Sequence, residues 1–362
     1  MRMSLYAVIM AGGKGERLWP VSTPERPKQL IAFNGEKSLL RMTVDRLLPL
    51  TSPEKICCVT GKNIAVAVAS DLNDLPAQNI LIEPLGKNTA PCAAFAAAWI
   101  NRFDPDAVIA IFPSDHDISD SETFRQVVSF GVKCLEDMPE MLLTLGIMPL
   151  YPETGFGYIA PQKKIKEGDG LSLLGVERFH EKPDAARAEE YISMGYFWNA
   201  GMFILKVSTL LKELEMNTPG LFENTMTLMK SGFRDEDILK FYTAAESISI
   251  DYAIMEKAKK VGVIPASFGW NDVGSWSAVT KLLKEDAYSN AIHGDAFIYQ
   301  SSNNVAWSSG KKIVLIGACD MAVVEGDDAI LVCRKDMSQD VSRVLKLMAS
   351  ERATNNFFPS KP

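Results

Sequence analysis

Short, unbroken apolar runs recur along the first three-quarters of the chain, separated by stretches with helical spacing. Leu5–Met10, Ile56–Val59, Ile80–Ile82, Ala107–Phe112 and Leu142–Leu145 are such runs. Continuous apolarity, rather than alternation, predicts strands covered on both faces. Between them, Ser38 to Leu48 carries apolar residues at Leu40, Val44, Leu47 and Leu48, which predicts an amphipathic helix. Asn88 or Thr89 can cap a second helix, with Pro91 in its first turn, running through an Ala-rich stretch to Ile100. Alternation of this kind predicts an α/β fold with a doubly wound, mostly parallel, Rossmann-like sheet. Ligands of such sheets bind beyond the carboxyl ends of the strands.

The pattern changes after about Asp286. From Ala296 to Cys333 the apolar runs are short and β-rich, with turn signals at Asn303-Asn304, Ser309-Gly310 and Gly326-Asp327-Asp328. A last amphipathic helix is predicted over Ser338–Ala349. The chain therefore divides into a larger domain, 1–287, and a small C-terminal β-rich domain ending in a helix, 288–362.

Composition narrows the class. The 362 residues carry 38 Lys and Arg against 45 Asp and Glu, a net charge of −7. That balance argues against nonspecific nucleic-acid binding. No apolar run reaches the ~18 residues of a membrane span. The N-terminus enters a strand at once, without a signal-peptide pattern. The six cysteines form no C-x-x-C and mostly sit in apolar runs, as free thiols in a reducing compartment do. A cytoplasmic protein is the expectation.

Against this acidic background one segment stands out. After the first strand, Ala11 is followed by Gly12, Gly13 and Gly15, then by Arg17, Arg26 and Lys28, with Lys14 inside the glycines. Bare backbone and clustered cations after a strand suit a phosphate or pyrophosphate. Leu18 stands where a dinucleotide fingerprint needs its third glycine, and no window fits the P-loop spacing. A glycine-rich turn with solvated charges is the alternative reading.

Other polar residues follow apolar runs in the same way. Ser114, Asp115 and Asp117 come directly after Ala107–Phe112, and two short carboxylates there suit a hard cation or a turn. Asp272 lies between Trp270 and Trp276, where an unpartnered carboxylate is costly. Glu83 to Ala90 is a loop leading into a helix and suits a base or ribose. Gly155 and Gly157 flank Phe156, and Glu181 precedes Lys182. Asn199 can both donate and accept, as sugar hydroxyls require. The three histidines match no zinc spacing, and no G-x-S-x-G elbow occurs.

Ala11-Gly-Gly-Lys-Gly-Glu-Arg-Leu-Trp-Pro20 with Arg26-Pro-Lys-Gln29 resembles the signature of sugar-phosphate nucleotidylyltransferases. The Arg-Pro-Lys-Gln form is similar to mannose-1-phosphate guanylyltransferases, also called GDP-mannose pyrophosphorylases. Glu83-Pro84 with Gly86–Pro91, Phe112–His116, Glu181–Pro183, Trp198–Phe203, Trp270–Trp276 and Val323–Val332 resemble the same subfamily, in its order. The chain departs at Val21, His180 and Gly326, where Leu, Val and Thr are usual. The cupin-like isomerase domain of longer relatives is absent from this sequence, so isomerase activity is not expected.

The resemblance implies transfer of GMP from GTP to α-D-mannose 1-phosphate, with pyrophosphate leaving and no covalent enzyme intermediate. It implies that Ala11, Gly12, Gly13 and Gly15 with Arg17 and Lys28 hold the triphosphate. Asp115 and Asp272 hold Mg²⁺, and Lys182 meets the sugar phosphate. Gly157, Glu181 and Asn199 read the sugar; Glu83, Asn88 and Ser114 face the nucleoside. It further implies a short left-handed β-helix at the C-terminus and a homodimer. The rival readings are the same chemistry on glucose 1-phosphate with UTP or dTTP, or a non-catalytic nucleotide-sugar-binding regulatory subunit.

Overall fold

The computed structural model describes residues 3–13 and 15–354, with backbone alone for 351–354. Lys14, one of the loop cations, lies outside the described residues. Contacts group the chain into two compact units. The first comprises Met1–Gly12, Thr43–Ser114 and Ile118–Trp270; the second comprises Gly13–Met42, Asp115–Asp117 and Asn271–Pro362. This grouping is not consecutive, unlike a single cut at 287/288.

The first unit is built on nine strands: β1 Leu5–Ala11, β2 Ile56–Gly61, β3 Ile80–Glu83, β4 Val108–Pro113, β5 Leu142–Ile147, β6 Gly157–Gly168, β7 Leu171–Glu181, β8 Phe197–Lys206 and β9 Val261–Ala266. Their order is β3-β2-β1-β4-β8-β5-β9-β7-β6. The pairs β3–β2, β2–β1, β1–β4 and β5–β9 are parallel. The apolar runs at 5–10, 56–59, 80–82, 107–112 and 142–145 lie in these strands, save Ala107, one residue before β4, and residues 56–60 and 142–147 are buried without interruption. Two features break the parallel pattern. Strand β8 runs antiparallel between β4 and β5, and β6–β7 form an antiparallel hairpin.

The helix Thr89–Asn101 begins where its capping signal places it, with the Asn88 side chain accepting from the Thr89 amide. Ala93, Ala94, Ala96, Ala97 and Ala98 are all fully buried. Side chains this small let the helix lie between the sheet and an aromatic cluster, in which Phe95 packs on Phe233, Phe241 and Tyr242. Strands β1, β3 and β4 end at Ala11, Glu83 and Pro113, so Gly12, the loop after Glu83 and Ser114 share one sheet edge. Strand β8, running the other way, begins at that same edge. Its Trp198 and Asn199 pair with Ile147 and Gly146 at the end of β5.

The second unit is a short coil of parallel rungs. Strand β10, Ala291–His293, stacks on β12, Val305–Trp307, which stacks on β14, Met321–Glu325. Beside them β11, Ala296–Tyr299, pairs in parallel with β13, Ile313–Ile316, and β15, Ile330–Arg334, closes antiparallel on β14. Buried Asn290 and Asn304 form a ladder between rungs, with Asn304 Nδ2 donating to Asn290 Oδ1 at 2.8 Å. The final helix spans Val341–Thr354, three residues later than its pattern predicts, because Lys335–Asp340 forms a 3₁₀ turn instead.

Leu18, Ile31 and Phe33 pack into this unit's core with Trp276, Trp307, Val305 and Val324. Trp276 is fully buried, and its indole N–H donates to the Trp19 carbonyl at 3.0 Å. Trp276 thereby joins Leu18, Ile31 and Phe33 in holding the glycine-rich loop within the second unit. Truncation of Trp276 to alanine should cost about 3–5 kcal/mol, the scale for a buried aromatic, and leave the Trp19 carbonyl unpaired. Urea unfolding followed by circular dichroism measures it; a loss under about 1 kcal/mol would remove Trp276 as an anchor.

Candidate active site

Within the second unit, three distant chain segments converge on one ammonium. Lys28 is 6% exposed. Its Nζ donates to Asp115 Oδ2 at 2.9 Å and to the main-chain carbonyl of Asp272. Gly15 makes the approach possible. Its φ is +59°, and a Cβ there would stand 2.7 Å from Lys28 Cβ. Arg17, Lys28, Asp115, His116, Asp272 and Gly274 line a cavity of about 450 Å³ beside this pair. Burial by itself would raise the Asp115 carboxyl, but Lys28 foremost, with His116, holds it below the usual carboxylate range. Asp272 Oδ1 accepts from the Gly274 amide at 3.1 Å. Between them Val273 holds φ +48°, a region that β-branched residues avoid. Strain of this kind clusters at ligand sites.

The first unit carries two further groups. The Ala11 carbonyl accepts from Thr60 Oγ1, and Gly12 adjoins Glu83, whose Oε2 lies 3.7 Å from where a Gly12 Cβ would stand. Glu83 is buried and accepts from Tyr242 Oη at 2.7 Å. Burial pushes its carboxyl up to about 7, against the pull of the Tyr242 hydrogen bond. Asn88, at φ +68°, spends its side-chain oxygen on the Thr89 amide and stays exposed. Ser114 is 1% exposed and its amide donates to the Met10 carbonyl, which continues the strand pairing.

The other group lies where β6, β7 and β8 meet. Gly157 pairs with Glu181 across the hairpin, and a Cβ on Gly157 would stand 2.7 Å from Glu181 Oε2. Lys182, at φ +44° and exposed, has its Nζ 3.7 Å from Glu181 Oε1. Asn199 Nδ2 donates to Asp251 Oδ1 at 2.7 Å. Burial raises the carboxyls of Glu181, Asp251 and Glu256; the Asp251 charge further raises Glu181 and Glu256, and the Glu181 charge further raises Glu256. Aromatic rings of Tyr151, Phe156, Trp198 and Trp270 pack edge to face beside them.

Thus Arg17, Gly15, Lys28, Asp115 and Asp272 are brought together, as are Gly157, Glu181, Lys182 and Asn199, and as are Gly12 and Glu83. Ser114 is turned into the interior. Tyr242, Asp251 and Glu256 escaped notice in the sequence. A carboxylate in the apolar run Ile248–Met255 was the available signal for Asp251, because burial of a lone Asp demands a partner.

The nucleotidyl transferase family profile matches residues 6–289, and that of the MannoseP isomerase/GMP-like beta-helix domain matches residues 296–348. The chain belongs to the nucleotidyl transferase family. Among its curated relatives are the alginate biosynthesis protein AlgA of Pseudomonas aeruginosa, 37% identical, and the mannose-1-phosphate guanylyltransferase of Salmonella muenchen, 38% identical. Each alignment covers 94% of this chain and 72% of the relative. A solved structure from Thermus thermophilus, named mannose-1-phosphate geranyltransferase, superposes with a TM-score of 0.86 at 32% identity, over 96% of this chain and all of that one.

Nucleotidyl transferases of this family generally use a divalent metal. Among the described residues no group of three His, Cys, Asp or Glu is placed to hold an ion. Asp115 and Asp272 nevertheless line one cavity, and two hard carboxylates suit an ion that takes its other ligands from water and phosphate.

The buried Glu83 of this nucleotidyl transferase makes folding pH-dependent. It holds its proton more tightly folded than unfolded, where it titrates near 4.5. Its contribution is therefore most favourable below pH 4.5 and declines as pH rises toward 7. Glu83→Gln keeps an acceptor for Tyr242 and removes the titration. The variant should gain about 3 kcal/mol relative to wild type between pH 4.5 and 8, read from unfolding curves across pH. A pH-independent difference would contradict a buried, protonated Glu83.

Proposed function

We propose that this nucleotidyl transferase moves GMP from GTP onto α-D-mannose 1-phosphate, giving GDP-mannose and pyrophosphate. The observation that carries the chemistry is the buried Lys28, held by Asp115 and the Asp272 carbonyl beside Arg17 in one cavity. Guanine and mannose as substrates follow from relatives 33–38% identical over most of the chain that are named mannose-1-phosphate guanylyltransferase.

The two substrates are both anions, so the barrier is their repulsion and alignment. A phosphate oxygen of the sugar phosphate attacks the α-phosphorus, and the bond to the β-phosphate oxygen breaks in the same step. Lys28 and Arg17, with the amides of Gly13 and Gly15, offset the charge that builds on the departing pyrophosphate. Lys28 costs little to reorganise because its carboxylate and carbonyl partners already hold it. Lys182 meets the sugar phosphate as a point charge. Glu181, Asn199 and the Gly157 backbone take the sugar hydroxyls. Glu83 and Asn88 face the nucleoside, and Ser114 contributes backbone alone. Asp115 and Asp272 would hold Mg²⁺, which when bound polarises phosphate oxygens as a Lewis acid.

Residues 1–287 form the catalytic domain in this reading and 288–362 the β-rich one, in line with the two family matches. The protein works as a cytoplasmic homodimer. Unpaired cysteines suit a reducing compartment, and among the described residues no helix is long and apolar enough to cross a membrane. Exposed Phe297, Tyr299, Val314 and Ile316, paired across β11 and β13, suit contact with a second copy.

A substrate panel tests the reaction. Pyrophosphate release should require GTP, mannose 1-phosphate and Mg²⁺ together; equal turnover of UTP with glucose 1-phosphate would sink the assignment. Asp272→Ala should lower kcat by ~10²-fold or more, the scale of a lost electrostatic contact. A near-wild-type rate would take Asp272 out of the site.

A further inference from the structure

Asp251 opens a π-helical turn, Asp251–Met255, a geometry found mostly at functional sites. Its carboxylate accepts from Asn199 Nδ2 at 2.7 Å, while Asn199 Oδ1 accepts from the Gly201 amide at 3.0 Å. These two bonds fix the polarity of the Asn199 amide. A flip would set its oxygen against a carboxylate oxygen and its NH₂ against an N–H. With that polarity fixed, Asn199 keeps one N–H and one lone pair for a ligand. Asp251 is itself held. The Ile250 amide donates to Thr89 Oγ1 at 2.8 Å, and the Ala90 amide donates to the Ile248 carbonyl at 3.1 Å. The first turn of the helix Thr89–Asn101 therefore sets where the Asp251 backbone lies.

Epimeric hexose phosphates differ only in where a hydroxyl donor and acceptor point. A hydroxyl both donates and accepts, so an amide free to swing could meet it at either epimer's position. A reader held in one orientation meets a hydroxyl at one position and leaves polar groups unpaired against the other epimer, the kind of mismatch from which discrimination arises. We propose that Asp251 is a positioning residue that locks the Asn199 amide and thereby sets selectivity for the sugar epimer. The inference rests on the reading that Asn199 meets the sugar hydroxyls.

Steady-state kinetics of the full chain tests it, with mannose 1-phosphate and glucose 1-phosphate at saturating GTP. Asp251→Ala should raise KM for mannose 1-phosphate ~10-fold or more and narrow the preference over glucose 1-phosphate, with KM for GTP within about twofold. Asp251→Asn, which keeps an acceptor for Asn199, should recover most of the loss. In an Asn199→Ala background, removing Asp251 should add nothing. An unchanged KM in Asp251→Ala overturns the inference, and so do equal rises in KM for both substrates or additive losses in the double variant. If wild type turns over mannose 1-phosphate and Asp251→Ala matches it, this inference alone fails. If wild type turns over neither sugar, the proposed reaction fails. Thermal-shift titration with the same two sugar phosphates then decides on Asp251, which must still lose selectivity on truncation.

Discussion

The buried Lys28 ammonium is the point on which the candidate site depends. An ammonium with 6% exposure is tolerable only with full compensation, and it receives a carboxylate from Asp115 and a carbonyl from Asp272. Those partners lie 87 and 244 positions away in the chain. One ammonium thus links three segments, 13–42, 115–117 and 271 onward, that belong to a single compact unit. The apolar side of that constraint is the Trp276 indole under the Trp19 carbonyl, with Leu18, Ile31 and Phe33 around it. Charge compensation and aromatic packing hold the same loop from two sides.

The two units differ in chemistry. The second unit supplies cations and carboxylates suited to phosphate charge. The first unit supplies, at the carboxyl edge of its sheet, acceptor-rich groups such as Glu181, Asn199 and Asp251, which suit hydroxyls. Positive-φ residues mark both: Val273 beside Asp272, Lys182 beside Glu181, and Asn88 at the start of its helix. The surrounding packing holds each of them in a conformation that such residues rarely choose, as ligand-shaped backbone requires.

Much of this was legible in the sequence because the signals are local. Unbroken apolar runs marked strands β1 to β5, and the Asn88 cap with Pro91 placed the start of its helix. The family signature marked Arg17, Lys28, Asp115, Glu181, Asn199 and Asp272. What escaped was long-range. The antiparallel course of β8 has no signature of its own, since a strand buried on both faces reads alike in either direction. Tyr242 meets Glu83 across 159 positions, and Asp251 meets Asn199 across 52, so neither pair leaves a periodic trace. The grouping of the glycine-rich loop with the C-terminal rungs was hidden for the same reason.

Direct displacement needs no protein nucleophile, only phosphates held in line by charge. The stereochemistry at the α-phosphorus tests that most directly. GTP carrying a single sulfur of known configuration on its α-phosphate, reacted with mannose 1-phosphate, should yield a nucleotide sugar with inverted configuration at that phosphorus. Net retention would require two displacements through a nucleotidyl–enzyme intermediate, and would contradict a site in which Lys28 and Arg17 act by positioning and charge alone.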